Sequence, residues 1–171
     1  DLSQVESRIL RKELDEFSPD YAFNLHDQRT IFGVETKPAT ISLLAPAFNK
    51  ERNFNLCRTK AAQLAASVFQ GLQSSSIASQ IGRFDDQFNP NCLGDAFQSL
   101  GVPTLLIEAG HFQDDYQREQ TRRYVFKAYV LALQAIANST FADVSIYHSI
   151  PENKNIFFDY ILRNVRYIDH V

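Results

Sequence analysis

The chain has 171 residues, which is enough for one sizeable hydrophobic core and too few to require two domains. Apolar residues make up 44% of the sequence and charged residues 22%, as in an ordinary globular protein. The net charge of -3 gives no electrostatic reason to expect a nucleic acid or an anionic membrane as partner. No apolar stretch approaches the roughly 20 residues that span a bilayer.

A helix is predicted at the start of the chain. Ser3 and Glu6 have the spacing of a capping box, and Ser18 begins a Ser-Pro-Asp sequence that ends the helix. The apolar residues between these points recur at helical intervals; they are Val5, Ile9, Leu14 and Phe17.

Two strands and a second helix follow. The strands are predicted over residues 21–27 and 39–46, where apolar residues are bounded by turn formers. The helix is predicted to begin near Asn53 or Asn55 and to place Leu64, Val68 and Leu72 on one face.

The second half begins with a short helix that has Leu93, Phe97 and Leu100 on one face and ends at Gly101. A continuous apolar strand follows over residues 102–108, a pattern typical of a strand buried on both faces. A long helix is predicted over residues 115–138. The alternation of strands and helices predicts a single α/β domain, residues 1–171, with a mixed, mainly parallel β-sheet flanked by helices.

The sulfur-containing residues suggest two expectations. Cys57 and Cys92 fit no metal-binding spacing, and two buried thiols are favoured over one disulfide. The sequence contains no methionine, so we expect it to be a processed product or a segment of a longer protein.

Two of the predicted strands end in ionisable residues. One ends in His26 and Asp27, and the other in Glu108, with His111 close behind it. Ligands of open α/β sheets gather outside the carboxyl ends of the strands, so these side chains can share one cleft. A neutral imidazole on zinc and a carboxylate that takes a proton from water are the parts of a metal-assisted hydrolase. A strand-terminal histidine that is only hydrogen-bonded, and a glutamate paired with an arginine, are the structural alternatives.

The segments FNLHDQRTIFG and GVPTLLIEAGHFQDDYQREQTRRYVFKA resemble the C-terminal half of a zinc metallocarboxypeptidase of the carboxypeptidase A-like family. The resemblance covers residues 18–138. It implies a partial carboxypeptidase A-like, phosphorylase/hydrolase-type fold with one zinc ion at the strand ends. By this resemblance His26 is the third zinc ligand, and Glu108 is the catalytic residue that activates water and then protonates the leaving amine.

Several parts of the family pattern are missing. The sequence contains no His-x-x-Glu motif, which supplies the first two zinc ligands in the family, and no Asn-Arg pair to bind a terminal carboxylate. Residues 80–95 contain no tyrosine at the place where the family usually has one. Because a catalytic zinc site needs at least three protein ligands, we expect the chain to be the C-terminal portion of a longer metallopeptidase domain and to be inactive alone.

Three further residues are weaker candidates. Asp27 is a candidate for orienting a neighbouring ligand, although an aspartate that bonds its own backbone is equally expected. Arg83 is a candidate for binding an anionic substrate group, although a surface pair with Asp85 or Asp86 is favoured. His111 is a candidate for lining the cleft, and a surface histidine at a helix start is the alternative.

The leading hypothesis is therefore part of a zinc carboxypeptidase acting on peptide substrates. A zinc-dependent amidase or deacylase acting on acyl-amino acids or cell-wall peptides is the second hypothesis, and a non-catalytic binding domain is the third. The resemblance implies a secreted or periplasmic location. The sequence leaves the oligomeric state and the preferred substrate side chain open.

Overall fold

A computed structural model describes residues 3–166 of the chain. The helices are α1 (Val5–Phe17), α2 (Leu56–Leu72), α3 (Leu93–Ser99), α4 (Glu119–Ala137) and α5 (Val144–Ser149), with one 3₁₀ turn at Ala78–Gln80. The strands are β1 (Ala22–Asp27), β2 (Phe32–Val34), β3 (Lys37–Pro38), β4 (Ile41–Leu44), β5 (Ile81–Arg83), β6 (Thr104–Ala109) and β7 (Lys154–Asn155). Among these residues, no helix has the length and apolar character needed to cross a membrane.

The main sheet has four strands in the order β1-β6-β4-β5. β1 runs parallel to β6, β4 runs antiparallel to β6, and β5 runs parallel to β4. The predicted α/β domain with a mixed, mostly parallel sheet flanked by helices is therefore confirmed. A smaller antiparallel sheet, β3-β2-β7, was not predicted, because two- and three-residue strands leave no period to detect.

The hydrophobic core lies on one face of the main sheet. Leu43 on β4 and Ile107 on β6 are opposite each other and pack, fully buried, against α2 and α4. Small residues of the two helices, among them Ala65 and Ala132, allow this close approach. The opposite face is covered in part by α3, and it carries the polar residues described below.

Two helix starts differ from the prediction. The N-cap of α1 is Gln4, one residue after the predicted Ser3, and the Gln4 side chain makes no capping hydrogen bond. α4 begins at Glu119 instead of residue 115, because Arg118 has a left-handed backbone (φ 63°) that no α-helix contains. The Asp115 carboxylate accepts a 2.8 Å hydrogen bond from the backbone N–H of Thr121, so it caps the helix from outside. The N-cap of α2 is Asn55, one of the two predicted positions.

The buried side of α3 is also different from its predicted apolar face. Leu93 and Leu100 are exposed, whereas Gly94, Asp95 and Gln98 are buried against the sheet. Gln98 is only half satisfied there: its Oε1 accepts a 2.9 Å hydrogen bond from the N–H of Thr104, whereas its buried Nε2 has no hydrogen-bond partner among the described residues.

Both cysteines are free thiols. Cys57 is half-buried on α2, where its Sγ lies 3.8 Å from the carbonyl oxygen of Gln98. Cys92 is exposed, so the expectation of two buried thiols is wrong for this residue, which is the N-cap of α3.

Candidate active site

His26 and Glu108 are side-by-side neighbours in the sheet. They are paired residues of the parallel strands β1 and β6, and each lies near the carboxyl end of its strand. Neighbouring strands are about 4.8 Å apart, so paired residues on one face have adjacent side chains. The two residues singled out from the sequence are therefore brought together.

The pair belongs to a row that crosses the sheet. Glu108 is also the partner of Ser42 on β4, and Ser42 is the partner of Gly82 on β5. Directly opposed residues project from the same face, so the His26, Glu108 and Ser42 side chains point away from the core. The next row on this face, two residues back along β1, consists of Asn24, Leu106 and Leu44.

Both rows open into one cleft of about 850 Å³. Its floor is formed by the strands, and its walls are α3 and the loop that precedes α3. The lining residues are Asn24, His26, Leu44, Pro46, Phe84, Asp85, Gln87, Phe88, Asn89, Asn91, Cys92, Leu93, Gly94, Asp95, Leu106 and Glu108. The cleft therefore has both polar and apolar lining residues.

Glu108 is buried without a partner. Only 7% of the residue is exposed, and its carboxylate makes no hydrogen bond or ion pair with any residue in 3–166. Burial raises the pKa of Glu108 above its usual value; the charge of His26 opposes this rise and that of Asp27 adds to it. The Glu108 oxygens are not among the fully buried, unpartnered side-chain atoms of the described residues, so they face the open cleft. A partly desolvated carboxylate with a raised pKa in a cleft is a candidate for a functional role.

A hydrogen-bond network fixes the strands beside Glu108. Ser42 Oγ donates to Gln28 Oε1 at 2.8 Å, and Asn153 Nδ2 donates to Ser42 Oγ at 2.7 Å. Gln28 Nε2 donates in turn to the carbonyl oxygen of Ala39 at 2.8 Å. Because Ser42 is fully occupied by this network, it leaves the neighbouring carboxylate of Glu108 free to face the cleft.

Close packing around Gly110 explains why the Glu-Ala-Gly sequence has a glycine at this position. A Cβ atom at this position would overlap the carbonyl oxygen of Ala39 and the side chain of Gln28. The glycine lets the chain after β6 approach the start of β4, where the Gly110 N–H donates to the Thr40 carbonyl at 2.9 Å. The end of β6, and with it Glu108, is thereby held in place.

The structure places Asp27 on the other face of β1. Its carboxylate accepts a 2.6 Å hydrogen bond from Arg118, and it lines a separate apolar groove with Leu25 and residues of α4. Asp27 therefore bonds neither its own backbone nor His26; its contribution to the site is the negative charge that it places near Glu108.

Arg83 lies in a neighbouring cleft of about 640 Å³. Its guanidinium pairs with Glu152, and it lies 5.6 Å from the centre of the Tyr147 ring. The expected surface pair with Asp85 or Asp86 is wrong, because Asp86 is held by Arg52 and Arg58. Phe84 and Asp85 separate the two clefts and line both.

His111 lies in the loop after β6 and not at a helix start. Its N–H donates to the Ala39 carbonyl at 3.2 Å, and its own carbonyl accepts from Thr40 Oγ1 at 3.0 Å. It does not line the cleft that contains His26 and Glu108.

Most residues of the cleft were not predicted from the sequence, and Asn24 and Asp95 are two polar examples. Asn24 is two positions before His26 on the same face of β1, so the two-residue period of a strand was a usable signal. Asp95 carried no such signal, because its burial depends on how α3 packs. Burial raises the pKa of Asp95 to about 6, and the backbone N–H of Asn89, the charge of Arg58 and the backbone N–H of Ala47 oppose the rise.

The cleft offers part of a zinc site. An imidazole and a carboxylate are side by side at an open strand end, which is the donor chemistry that zinc accepts. Within residues 3–166, no group of three His, Cys, Asp or Glu side chains is placed to hold a metal ion. His26 therefore fits as one ligand, and the other ligands of such a site have to come from elsewhere.

Comparison with known proteins identified no relative of this chain. No protein-family model, no curated protein and no solved structure matches the chain.

Proposed function

We propose that this chain carries part of the active site of a zinc-dependent metallocarboxypeptidase that hydrolyses C-terminal peptide bonds. In this proposal His26 is a zinc ligand and Glu108 is the general base. The observation that carries it is the Glu108 carboxylate, which has no hydrogen-bond partner among the described residues although the residue is only 7% exposed. It lies beside the exposed imidazole of His26 in a cleft of about 850 Å³.

The chemistry assigned to Glu108 follows from its surroundings. Burial makes its carboxylate more basic than one in water, and no hydrogen bond from residues 3–166 lowers that basicity. Glu108 takes a proton from the attacking water at a carboxylate oxygen and returns it to the nitrogen of the leaving amine. His26, together with further ligands, would hold a zinc ion, which would supply Lewis acidity to the scissile carbonyl and to the attacking water.

We propose that the remaining zinc ligands come from protein residues beyond these 171. A catalytic zinc ion usually has three protein ligands, and His26 is the one that this cleft presents. β1 is the end strand of the main sheet among the described residues, and His26 is exposed there, so a further polypeptide segment has room beside it. The chain alone is then inactive, and the full-length enzyme is exported, as the resemblance implies.

Metal removal tests this function. In the full-length protein, a chelator is expected to abolish release of the C-terminal residue from a peptide, and zinc is expected to restore it. His26→Ala should weaken zinc binding, measured calorimetrically, whereas His148→Ala, which changes an exposed histidine outside the cleft, should not.

Rates of hydrolysis of three substrates distinguish the competing functions. A peptide with a free C-terminus, the same peptide with a C-terminal amide, and an N-acyl amino acid are compared. Preference for the acyl-amino acid would indicate the amidase or deacylase instead. Zinc affinity that is unaffected by His26→Ala, together with no hydrolysis of any substrate, would contradict the proposal and favour a binding domain.

A further inference from the structure

One wall of the cleft is formed by residues 84–92, called the wall segment below. It lies between β5 and α3 and contains no helix or strand. All of its residues except Asp86 and Pro90 line the cleft. The position of the wall segment therefore affects the shape of the space next to His26 and Glu108.

The wall segment has few hydrogen bonds to the rest of the fold. Near its start, the Phe84 N–H donates to the Leu43 carbonyl at 3.0 Å. Towards its end, the Asn89 N–H donates to the Asp95 carboxylate. Between Phe84 and Asn89, Asp86 is the one residue whose side chain forms a hydrogen bond with another part of the described chain. Asp86 therefore anchors the middle of the segment.

Two arginines bind the Asp86 carboxylate, one at each oxygen. Arg58 Nη2 donates to Oδ2 at 2.7 Å, and Arg52 Nη1 donates to Oδ1 at 3.1 Å. The Arg58 side chain is fully buried, whereas that of Arg52 is 56% exposed. Charge-assisted hydrogen bonds are strong, and water screens a buried one less, so Arg58 provides the main anchor.

The same guanidinium also binds the floor of the cleft. Arg58 Nε donates to the carbonyl oxygen of Ala45, directly after β4, at 3.1 Å. The residues on either side of Ala45 line the cleft, and so do the residues on either side of Asp86. One buried side chain therefore sets the spacing between the end of β4 and the wall segment.

We propose that Arg58 and Asp86 are positioning residues for substrate binding, because their ion pair holds the wall segment at a fixed distance from the floor of the cleft. Neither residue lines the cleft, so both act through the residues beside them. Phe84 and Asp85 line this cleft and the neighbouring one, so release of Asp86 would let the two clefts merge. That the bound molecule is a peptide substrate rests on the proposed function.

Steady-state kinetics of Asp86→Asn tests the effect on binding. In the full-length protein this change is expected to raise KM by about tenfold and to change kcat by less than about threefold, because Glu108 lies on β6 and not on the wall segment. Asp86→Glu keeps the charge and should restore most of the affinity. Asp15→Asn, which removes a charge from the exposed pair with Arg11, should change neither constant.

Hydrogen exchange tests the positioning without turnover. In Asp86→Asn, the backbone amides of the wall segment should exchange about tenfold faster than in the unchanged protein, whereas those of α4 should keep their rate. Arg52→Gln breaks only the exposed contact with Asp86 and should have the same effect at smaller size. This second variant keeps the test valid if Asp86→Asn does not fold.

The outcomes distinguish this proposal from the proposed function. Unchanged exchange in the wall segment, or equal acceleration in α4, would overturn the positioning role. A lower kcat with unchanged KM would overturn it as well. Selective acceleration in the wall segment of a full-length protein that hydrolyses no peptide would refute the proposed function and leave the positioning role standing.

Discussion

Under the proposed function, Glu108→Gln is expected to lower kcat of the full-length protein by about 10²–10⁴-fold, the usual contribution of a general base. Glutamine has nearly the same shape as glutamate but cannot take a proton from water. Because the carboxylate makes no hydrogen bond within residues 3–166, its replacement breaks no hydrogen bond of the fold. Zinc content and melting temperature should therefore be kept, and steady-state kinetics with metal analysis measures both effects.

Glu119→Gln is the matched control for this change. Glu119 lies on the surface at the start of α4, where it pairs only with Arg122. Its replacement removes the same charge outside the cleft and should leave kcat unchanged. A loss of less than tenfold for Glu108→Gln, with zinc still bound, would show that Glu108 is not the base.

Asp86→Ala is expected to destabilise the fold by about 3–5 kcal/mol, because it leaves a buried charge without its counter-ion. Arg58 is fully buried, and its guanidinium donates to Asp86 at 2.7 Å. The same guanidinium donates to the Ala45 carbonyl at 3.1 Å, so it joins α2 to the end of β4 beside the cleft. Chemical denaturation measures the loss in the free energy of unfolding.

The exposed pair of Arg11 and Asp15 provides the control for Asp86→Ala. These residues are 2.8 Å apart on α1, and both are solvent-exposed. Asp15→Ala should cost about 0.5 kcal/mol or less, as is usual for a surface pair on a helix. Equal effects of the two substitutions would contradict the structural role assigned to Arg58.

Asp86 also makes the stability depend on pH. Burial alone would raise the pKa of Asp86, but its hydrogen bonds and charge interactions with Arg58 and Arg52 hold it below the ordinary value of 3.8. A folded-state pKa below the unfolded one stabilises the fold above pH 3.8, and this contribution is lost as the pH falls through the folded-state value. Asp86→Ala should remove this component of acid unfolding.

The sequence was informative where the signal was local. The alternation and apolar runs around His26 and Glu108 predicted two strands, and each residue was placed correctly at its strand end. That β1 and β6 pair in a register that joins these two residues depends on long-range contacts, and the sequence offered only the general rule about strand ends.

Tertiary contacts determined the features of the site that the sequence did not predict. Arg83 was a reasonable candidate as an isolated arginine, but the pairing of β5 directs it towards Glu152, on a segment far along the chain. Asp95 lies outside the predicted apolar face of the short helix, and it is buried because α3 packs on the sheet. Backbone donors such as the N–H of Asn89 stabilise the buried carboxylate. No local sequence pattern predicts these donors.

A carbon-13 NMR titration of the Glu108 carboxyl group tests most directly that Glu108 and His26 share a partly dry cleft. The structure predicts a pKa above the ordinary value of 4.5, because burial disfavours the charged form. His26→Ala should raise the pKa further, because the imidazole is the neighbour that lowers it. A pKa of 4.5 or less that does not respond to His26→Ala would contradict the shared cleft and the function proposed for it.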